Sequence, residues 1–81
     1  MTKQEISEKV NAFLVEKLEI DKEQITPEAE LKRDLGMTSL DAVETMLFIK
    51  RNFRFMPQND DVKSFITLDD IYEYVLTHQK I

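Results

Sequence analysis

One short segment of the sequence, DLGMTSLD at residues 34–41, combines residue types that could support chemistry. It contains the only glycine of the chain, Gly36, three positions before Ser39. A glycine lets the backbone bend so that the following hydroxyl is presented at the start of a helix. A phosphate ester at such a position faces free backbone N–H groups and the positive end of the helix dipole. The segment is therefore suited to a phosphate-linked group on Ser39.

A plainer interpretation of Ser39 is that it caps a helix. Serine and threonine are favoured N-caps, and position alone favours this role. Thr38 followed by Asp41 also has the spacing of a capping box, in which a hydroxyl and a carboxylate each satisfy a backbone N–H.

The sequence offers few combinations of residues that could form a catalytic site. The chain has no cysteine, so disulfides, thiolate metal sites and a protein thiol nucleophile are excluded. The only histidine, His78, lies near the predicted end of the last helix, where it is expected to be solvated or to stabilise the helix terminus. Asp21 and Glu23 lack the glycine and regular oxygen ligands of a calcium loop and are predicted to be solvated. We predict a protein that is not an enzyme and has no metal site.

The hydrophobic pattern predicts two long helices in the first two thirds of the chain. The first, of roughly residues 3–18, begins with a capping box of Thr2 and Glu5. Its predicted core-facing stripe is Ile6, Val10, Phe13, Leu14 and Leu18. The second begins at Thr38 or Ser39 and continues to about residue 53, before Pro57. Its predicted inward residues are Leu40, Val43, Leu47 and either Ile49 or Phe53.

Two more helices are predicted towards the carboxyl end. A short one over residues 60–65 offers Val62 and Phe65 to the core, and a final one begins with Thr67 and Asp70 and ends at about residue 79. Its predicted buried stripe is Leu68, Ile71, Tyr72, Val75 and Leu76. The expected fold is all-α, a small four-helix bundle of three main helices and one short helix.

A long loop is predicted between the first two helices. Within it, Thr26, Pro27 and Glu28 indicate a single helical turn with a threonine cap. Loops of this length in compact domains are usually functional or packed by their own side chains. The residues expected to attach it to the core are Ile20, Ile25, Leu31 and Leu35.

Length and charge limit the possible partners. With 81 residues the chain forms one small domain over residues 1–81. Its 11 basic and 16 acidic residues give a net charge of -5, which disfavours nucleic acid and acidic membrane surfaces. The longest apolar runs, at residues 12–15 and 46–49, are too short to span a membrane, so we expect a cytoplasmic monomer. Lys50, Arg51 and Arg54 are too few for a nucleic-acid site.

The segment DLGMTSLDAVE resembles the modification site of acyl carrier proteins and related carrier domains of polyketide and peptide synthesis. The family pattern is Asp-Leu-Gly, two residues, then Ser-Leu, and the predicted helix order extends the likeness over nearly the whole chain. The resemblance implies that Ser39 carries 4'-phosphopantetheine taken from coenzyme A, with Asp34, Gly36 and Thr38 around the attachment site. The thiol of that arm would hold acyl intermediates as thioesters.

The resemblance also implies partners: a phosphopantetheinyl transferase and acyl-loading, condensing and modifying enzymes. The candidate recognition residues are Met37, Leu40, Asp41, Val43, Glu44, Lys50 and Arg51, and the candidate acyl-chain lining is Met46, Leu47 and Ile66.

Two departures from the family pattern point to a specialised pathway. Thr38 stands where the family usually has Asp, and basic residues end a helix that is acidic throughout in many fatty acid carriers. They favour a specialised fatty acid, polyketide or related pathway. The alternative is an unmodified interaction module of carrier-like fold, with Ser39 only as a cap.

Overall fold

The computed structural model describes residues 1–79 and contains four α-helices in that range. They are α1 (Lys3–Lys17), α2 (Ser39–Phe53), α3 (Asn59–Lys63) and α4 (Leu68–His78). Between residues 1 and 79 there is no strand, only an isolated antiparallel bridge between Glu30 and Thr67. The predicted all-α fold of three main helices and one short helix is confirmed.

The three main helices begin in the same way. Thr2, Thr38 and Thr67 are the N-caps of α1, α2 and α4, and each forms a reciprocal capping box with the carboxylate three residues later. These hydrogen bonds satisfy N–H groups that a helix start leaves without partners. Because the pattern is local in sequence, all three helix starts were predictable.

The core lies between α1, α2 and α4. Its fully or nearly fully buried residues are Ile6, Val10, Leu14, Leu31, Ile49, Phe53, Leu68, Ile71, Tyr72 and Val75. The predicted stripes of α1 and α4 are therefore confirmed, with Phe13, Leu18 and Leu76 partly buried against them. A stacked pair of rings, Phe13 and Phe48, with centroids 4.4 Å apart, joins α1 to α2.

The prediction of the inward face of α2 is wrong at three positions. These side chains remain largely exposed: Leu40 at 68%, Val43 at 50% and Leu47 at 38%. The buried residues of α2 are Thr45, Ile49 and Phe53. The helix has two apolar stripes at helical spacing, so periodicity alone does not decide which stripe packs on the core. Tertiary packing against α1 and α4 selects the stripe with Ile49 and Phe53.

Backbone hydrogen bonds hold the long loop against the start of α4. Leu31 N–H donates to the Ile66 carbonyl at 2.9 Å, and Leu68 N–H donates to the Ala29 carbonyl at 3.0 Å. Leu31 is buried, and Ile20, Ile25 and Leu35 pack partly buried on the core, as predicted. The loop is thus a fixed part of the fold.

One local prediction for this loop is wrong. Residues 26–29 form a hydrogen-bonded turn, with Ala29 N–H donating to the Thr26 carbonyl, and not a helical turn. The helical turn lies earlier, in a 3-10 helix at Lys22–Gln24, whose cap is the carboxylate of Asp21 accepting from Glu23 N–H at 3.0 Å. Asp21 is therefore a capping residue as well as a solvated one, because its short side chain competes well for nearby N–H groups.

α2 ends at Phe53, as predicted. Its C-cap is Arg54, a non-glycine residue with φ of +63°, whose N–H donates to the Lys50 carbonyl. Pro57 follows three residues later and is buried. The left-handed cap ends the helix, and the proline only prevents its continuation.

Short α3 is attached to α4 by side chains. Tyr74 Oη donates to Asp61 Oδ2 at 2.8 Å, and the Tyr74 ring packs on Phe65 at 5.1 Å between centroids. His78, exposed as expected, stacks on Tyr74 at 4.1 Å, and its Nδ1 lies 2.9 Å from the Tyr74 carbonyl oxygen near the helix end.

Candidate functional site

Ser39 is the first residue of α2, and its side chain is exposed. The N-cap is Thr38, whose Oγ1 accepts from Asp41 N–H at 3.2 Å, while Asp41 Oδ2 accepts from Thr38 N–H at 3.0 Å. No hydrogen bond within residues 1–79 uses the Ser39 hydroxyl. The capping role considered for Ser39 is therefore filled by its neighbour, and the Ser39 oxygen is available for chemistry.

The loop before Ser39 is fixed by bonds to Glu30. Asp34 Oδ2 accepts from Glu30 N–H at 2.8 Å, and the Asp34 and Leu35 N–H groups both donate to the Glu30 carbonyl. Gly36 then turns the chain with φ of +64°, a conformation that other residues adopt only with strain. Asp34 and Gly36 thus shape the loop that leads to the helix start.

The first turn of α2 offers unused hydrogen-bond donors beside Ser39. The Thr38 hydroxyl accepts from Asp41 N–H, and the Thr38 carbonyl accepts from Ala42 N–H. Within residues 1–79, the Ser39 and Leu40 N–H groups have no acceptor. Such N–H groups at a helix start stabilise an anion. A phosphodiester on Ser39 would therefore meet a favourable local field, so the residues present fit a phosphate-linked group.

Five of the candidate recognition residues share one exposed face of α2. They are Leu40, Val43, Glu44, Lys50 and Arg51. Their spacing of three, four and seven residues places them on one side of the helix. The other two candidates have other contacts: Asp41 belongs to the capping box, and Met37 is half-buried and lines a cavity.

This cavity, of about 80 Å³, lies beneath the start of α2. Its walls include Met37, Ala42, Met46, Val62 and Phe65. The walls are mainly apolar, and the buried Thr45 hydroxyl donates to the Asp41 carbonyl at 2.8 Å, so it is already satisfied.

Of the three residues predicted to line an acyl chain, only Met46 lines this cavity. Leu47 lies in a different groove, against α1, and Ile66 is 61% exposed. The sequence did not predict the cavity walls that α3, the long loop and Pro57 contribute, because these walls depend on how distant segments of the chain pack together.

Comparison with known proteins settles the family. The model of the phosphopantetheine attachment site matches residues 8–75, which is most of the chain. The chain belongs to the acyl carrier protein family. An acyl carrier protein of Phytoplasma mali (strain AT) is 37% identical over 73 residues, covering 90% of this chain and 87% of the relative. One of Karelsulcia muelleri (strain GWSS) is 34% identical over 71 residues, covering 88% and 86%.

Family membership defines the function in broad terms. The protein is an acyl carrier with no catalytic activity of its own, and its cofactor is a covalently attached 4'-phosphopantetheine. When attached, that group supplies a terminal thiol that holds acyl groups as thioesters. Among residues 1–79 there is no cluster of three or more metal-binding side chains, and no helix there is long and apolar enough to cross a bilayer.

Proposed function

We propose that Ser39 is the residue that carries the 4'-phosphopantetheine arm. The chain has three serines, and a comparison of their hydroxyls carries the proposal. Ser7 donates to the Gln4 carbonyl at 2.8 Å and lies outside the matched residues 8–75. Ser64 donates to the Asp61 carbonyl at 2.6 Å. Of the three serine hydroxyls, only that of the exposed Ser39 is without a hydrogen bond within residues 1–79.

Attachment at Ser39 is a phosphoryl transfer from coenzyme A. The Ser39 oxygen attacks the phosphorus that bears pantetheine, and the bond between this phosphorus and the bridging oxygen of the diphosphate breaks. Adenosine 3',5'-bisphosphate leaves, and the hydroxyl proton passes to a base on the transferase. In this chain, Asp34 and Gly36 hold the loop, Thr38 caps the helix, and the Ser39 and Leu40 N–H groups face the new phosphodiester.

The cavity beneath α2 is our candidate site for the acyl chain. At about 80 Å³ it is smaller than the engineered cavity of about 150 Å³ that admits benzene in another protein, so it must widen to take more than a short chain. Two flexible methionines, Met37 and Met46, line it, and five-residue α3 forms one side. The apolar walls favour a hydrocarbon chain over a charged or hydroxylated one.

The exposed face of α2 is our candidate docking surface for the transferase and for acyl-loading, condensing and modifying enzymes. Leu40, Val43 and Glu44 lie next to Ser39 on this face, and Lys50 and Arg51 lie at its far end. The basic end favours partners of a specialised fatty acid, polyketide or related pathway over enzymes shaped for an acidic helix. We place the carrier, as a single-domain monomer, in the cytoplasm, where coenzyme A is available.

Intact mass spectrometry tests the attachment site. The protein is co-expressed with a broad-specificity transferase, together with Ser39→Ala and the matched control Ser64→Ala. We expect the wild-type and Ser64→Ala proteins to gain the mass of one phosphopantetheine and Ser39→Ala to gain none. Equal gain in Ser39→Ala would place the arm elsewhere, and no gain in any variant would favour an unmodified interaction module.

A further inference from the structure

A groove on the outside of the molecule, between α1 and α2, is separate from the acyl-chain cavity. We call it the α1–α2 groove and define it by Phe13, Lys17, Glu44, Leu47, Phe48 and Arg51. The stacked rings of Phe13 and Phe48 lie in it, and Leu47 is 38% exposed beside them. The groove therefore presents apolar surface to solvent between two cationic side chains.

The cations at this groove have no intramolecular partner among residues 1–79. Lys17 and Arg51, which line the groove, are exposed and form no ion pair there, and the exposed Lys50 precedes Arg51 on α2. Lys17 and Arg51 form a small cationic site on a chain that has 16 acidic residues against 11 basic ones. They leave a local positive field on an otherwise acidic protein.

The groove is continuous with the face that carries Ser39. Leu40, Val43 and Leu47 form an exposed stripe at helical spacing that leads from Ser39 to the groove. Ser39 and Arg51 are twelve residues apart, which is about 18 Å along the helix. Glu44 lies between them and lines the groove on its Ser39 side. The face is thus acidic near Ser39, apolar along its length and basic at its far end.

We propose that the α1–α2 groove docks a protein partner whose contact surface presents an apolar side chain flanked by carboxylates. This inference rests on the proposed function, because the same partner would act on the group held at Ser39. The apolar side chain lies against Phe13, Leu47 and Phe48, and the carboxylates pair with Lys17 and Arg51. Anionic polymers and membranes are disfavoured, because binding to them depends on many cationic contacts and only two cations line this groove.

A pair of synthetic peptides tests this surface on the full, unmodified chain. Both are amphipathic helices with the same leucine and phenylalanine stripe, flanked in one by glutamates and in the other by lysines. They are titrated into the nitrogen-15-labelled protein and followed by amide chemical shifts. We expect the glutamate peptide to shift amides near residues 13–17 and 44–52 and to bind about fivefold more tightly than the lysine peptide, the difference expected for one exposed ion pair.

Charge reversal makes the assignment specific. Arg51→Glu should remove the preference for the glutamate peptide, while Lys63→Glu, an equal charge change on α3, should preserve it. The proposal is overturned if the peptides bind equally, if the shifts lie elsewhere, if neither peptide shifts the groove, or if phosphatidylglycerol vesicles shift the groove and the glutamate peptide does not. The peptide titration uses the unmodified chain, so its result does not depend on whether Ser39 is modified. Either the groove proposal or the Ser39 proposal can therefore be overturned while the other stands.

Discussion

Tyr74 on α4 donates a 2.8 Å hydrogen bond to Asp61 on α3, and this is a side-chain connection between the two helices. Burial and the bond to Asp61 both raise the pKa of the Tyr74 hydroxyl, so it remains a donor at neutral pH. Short α3 has no fully buried residue, yet its Val62 forms part of the cavity wall. The Tyr74 to Asp61 contact therefore helps to hold one wall of the proposed acyl-chain site.

Removal of this bond should loosen α3 selectively. Tyr74→Phe deletes the hydroxyl and should lower the free energy of unfolding by about 1 kcal/mol. Amide hydrogen exchange over residues 59–65 should become about fivefold faster if that loss falls on the local opening of α3. The control is Tyr72→Phe, which deletes a hydrogen bond to Asn11 between α4 and α1 and should leave exchange in α3 unchanged. Equally faster amide exchange over residues 59–65 in both variants would contradict a local effect of the Tyr74 to Asp61 bond on α3.

Asp70 should stabilise the fold in a pH-dependent way. Its carboxylate accepts from Thr67 N–H at 2.9 Å and from Ile66 N–H at 2.8 Å, and these bonds hold its pKa below the ordinary value. Since the unfolded-state pKa is about 3.9, the stabilisation is complete well above that pH and is lost as the pH falls through the lower folded-state pKa.

Asp70→Asn should therefore lower the free energy of unfolding by about 1 kcal/mol at pH 7, measured by urea denaturation. The difference from wild type should shrink as the pH is lowered from 5 towards 2. Asp60→Asn is the matched control, because Asp60 is exposed and its side chain makes no hydrogen bond within residues 1–79. A difference that is constant across this pH range would rule out the charged hydrogen bonds as its source.

The fold should require glycine at position 36 because of the backbone conformation there, not because a larger side chain would clash. A Cβ at this position would meet nothing within 4 Å, but φ is +64°. Gly36→Ala should therefore lower the free energy of unfolding by about 1 kcal/mol, whereas Gly36→Asn should lower it less, because asparagine tolerates the left-handed region. Urea denaturation of both variants checks this, and an asparagine variant as unstable as the alanine one would refute the backbone explanation.

The cavity can be tested as an acyl-chain site by filling it. Ala42 lines the cavity, so Ala42→Leu should occupy space that the chain needs. With an octanoyl group loaded on the arm, we expect nuclear Overhauser contacts from its methylenes to Val62 and Phe65 in the wild type and their loss in Ala42→Leu. Ala12→Leu, on the exposed side of α1, should retain them. Absence of these contacts in the wild type would show that the chain lies outside the cavity.

Local features of this fold were predictable, and features that depend on packing were not. The capping boxes at Thr38 and Thr67 follow from residues three positions apart, and the sequence predicted both helix starts. The orientation of α2 was predicted wrongly because Leu40 and Ile49 belong to two stripes of similar apolarity, and only contact with the other helices distinguishes them.

The same limit applies to the site. Ser39, Asp34 and Gly36 are recognisable in one short segment, since their roles depend on neighbouring backbone. The α1–α2 groove was missed because it joins Phe13 and Lys17 to residues of α2, which are far away in the sequence. The left-handed end of α2 at Arg54 has no glycine to indicate it.

Because Thr38 and not Ser39 is the N-cap of α2, the hydrogen bonds that stabilise the helix start do not involve the Ser39 hydroxyl. The proposed attachment at Ser39 breaks no hydrogen bond within residues 1–79, and the free N–H groups at the start of α2 favour the added phosphodiester. The protein with the arm should therefore melt at the same temperature as the bare protein or slightly higher, and a partner would then distinguish the two by touching the arm itself, not by sensing a change of shape.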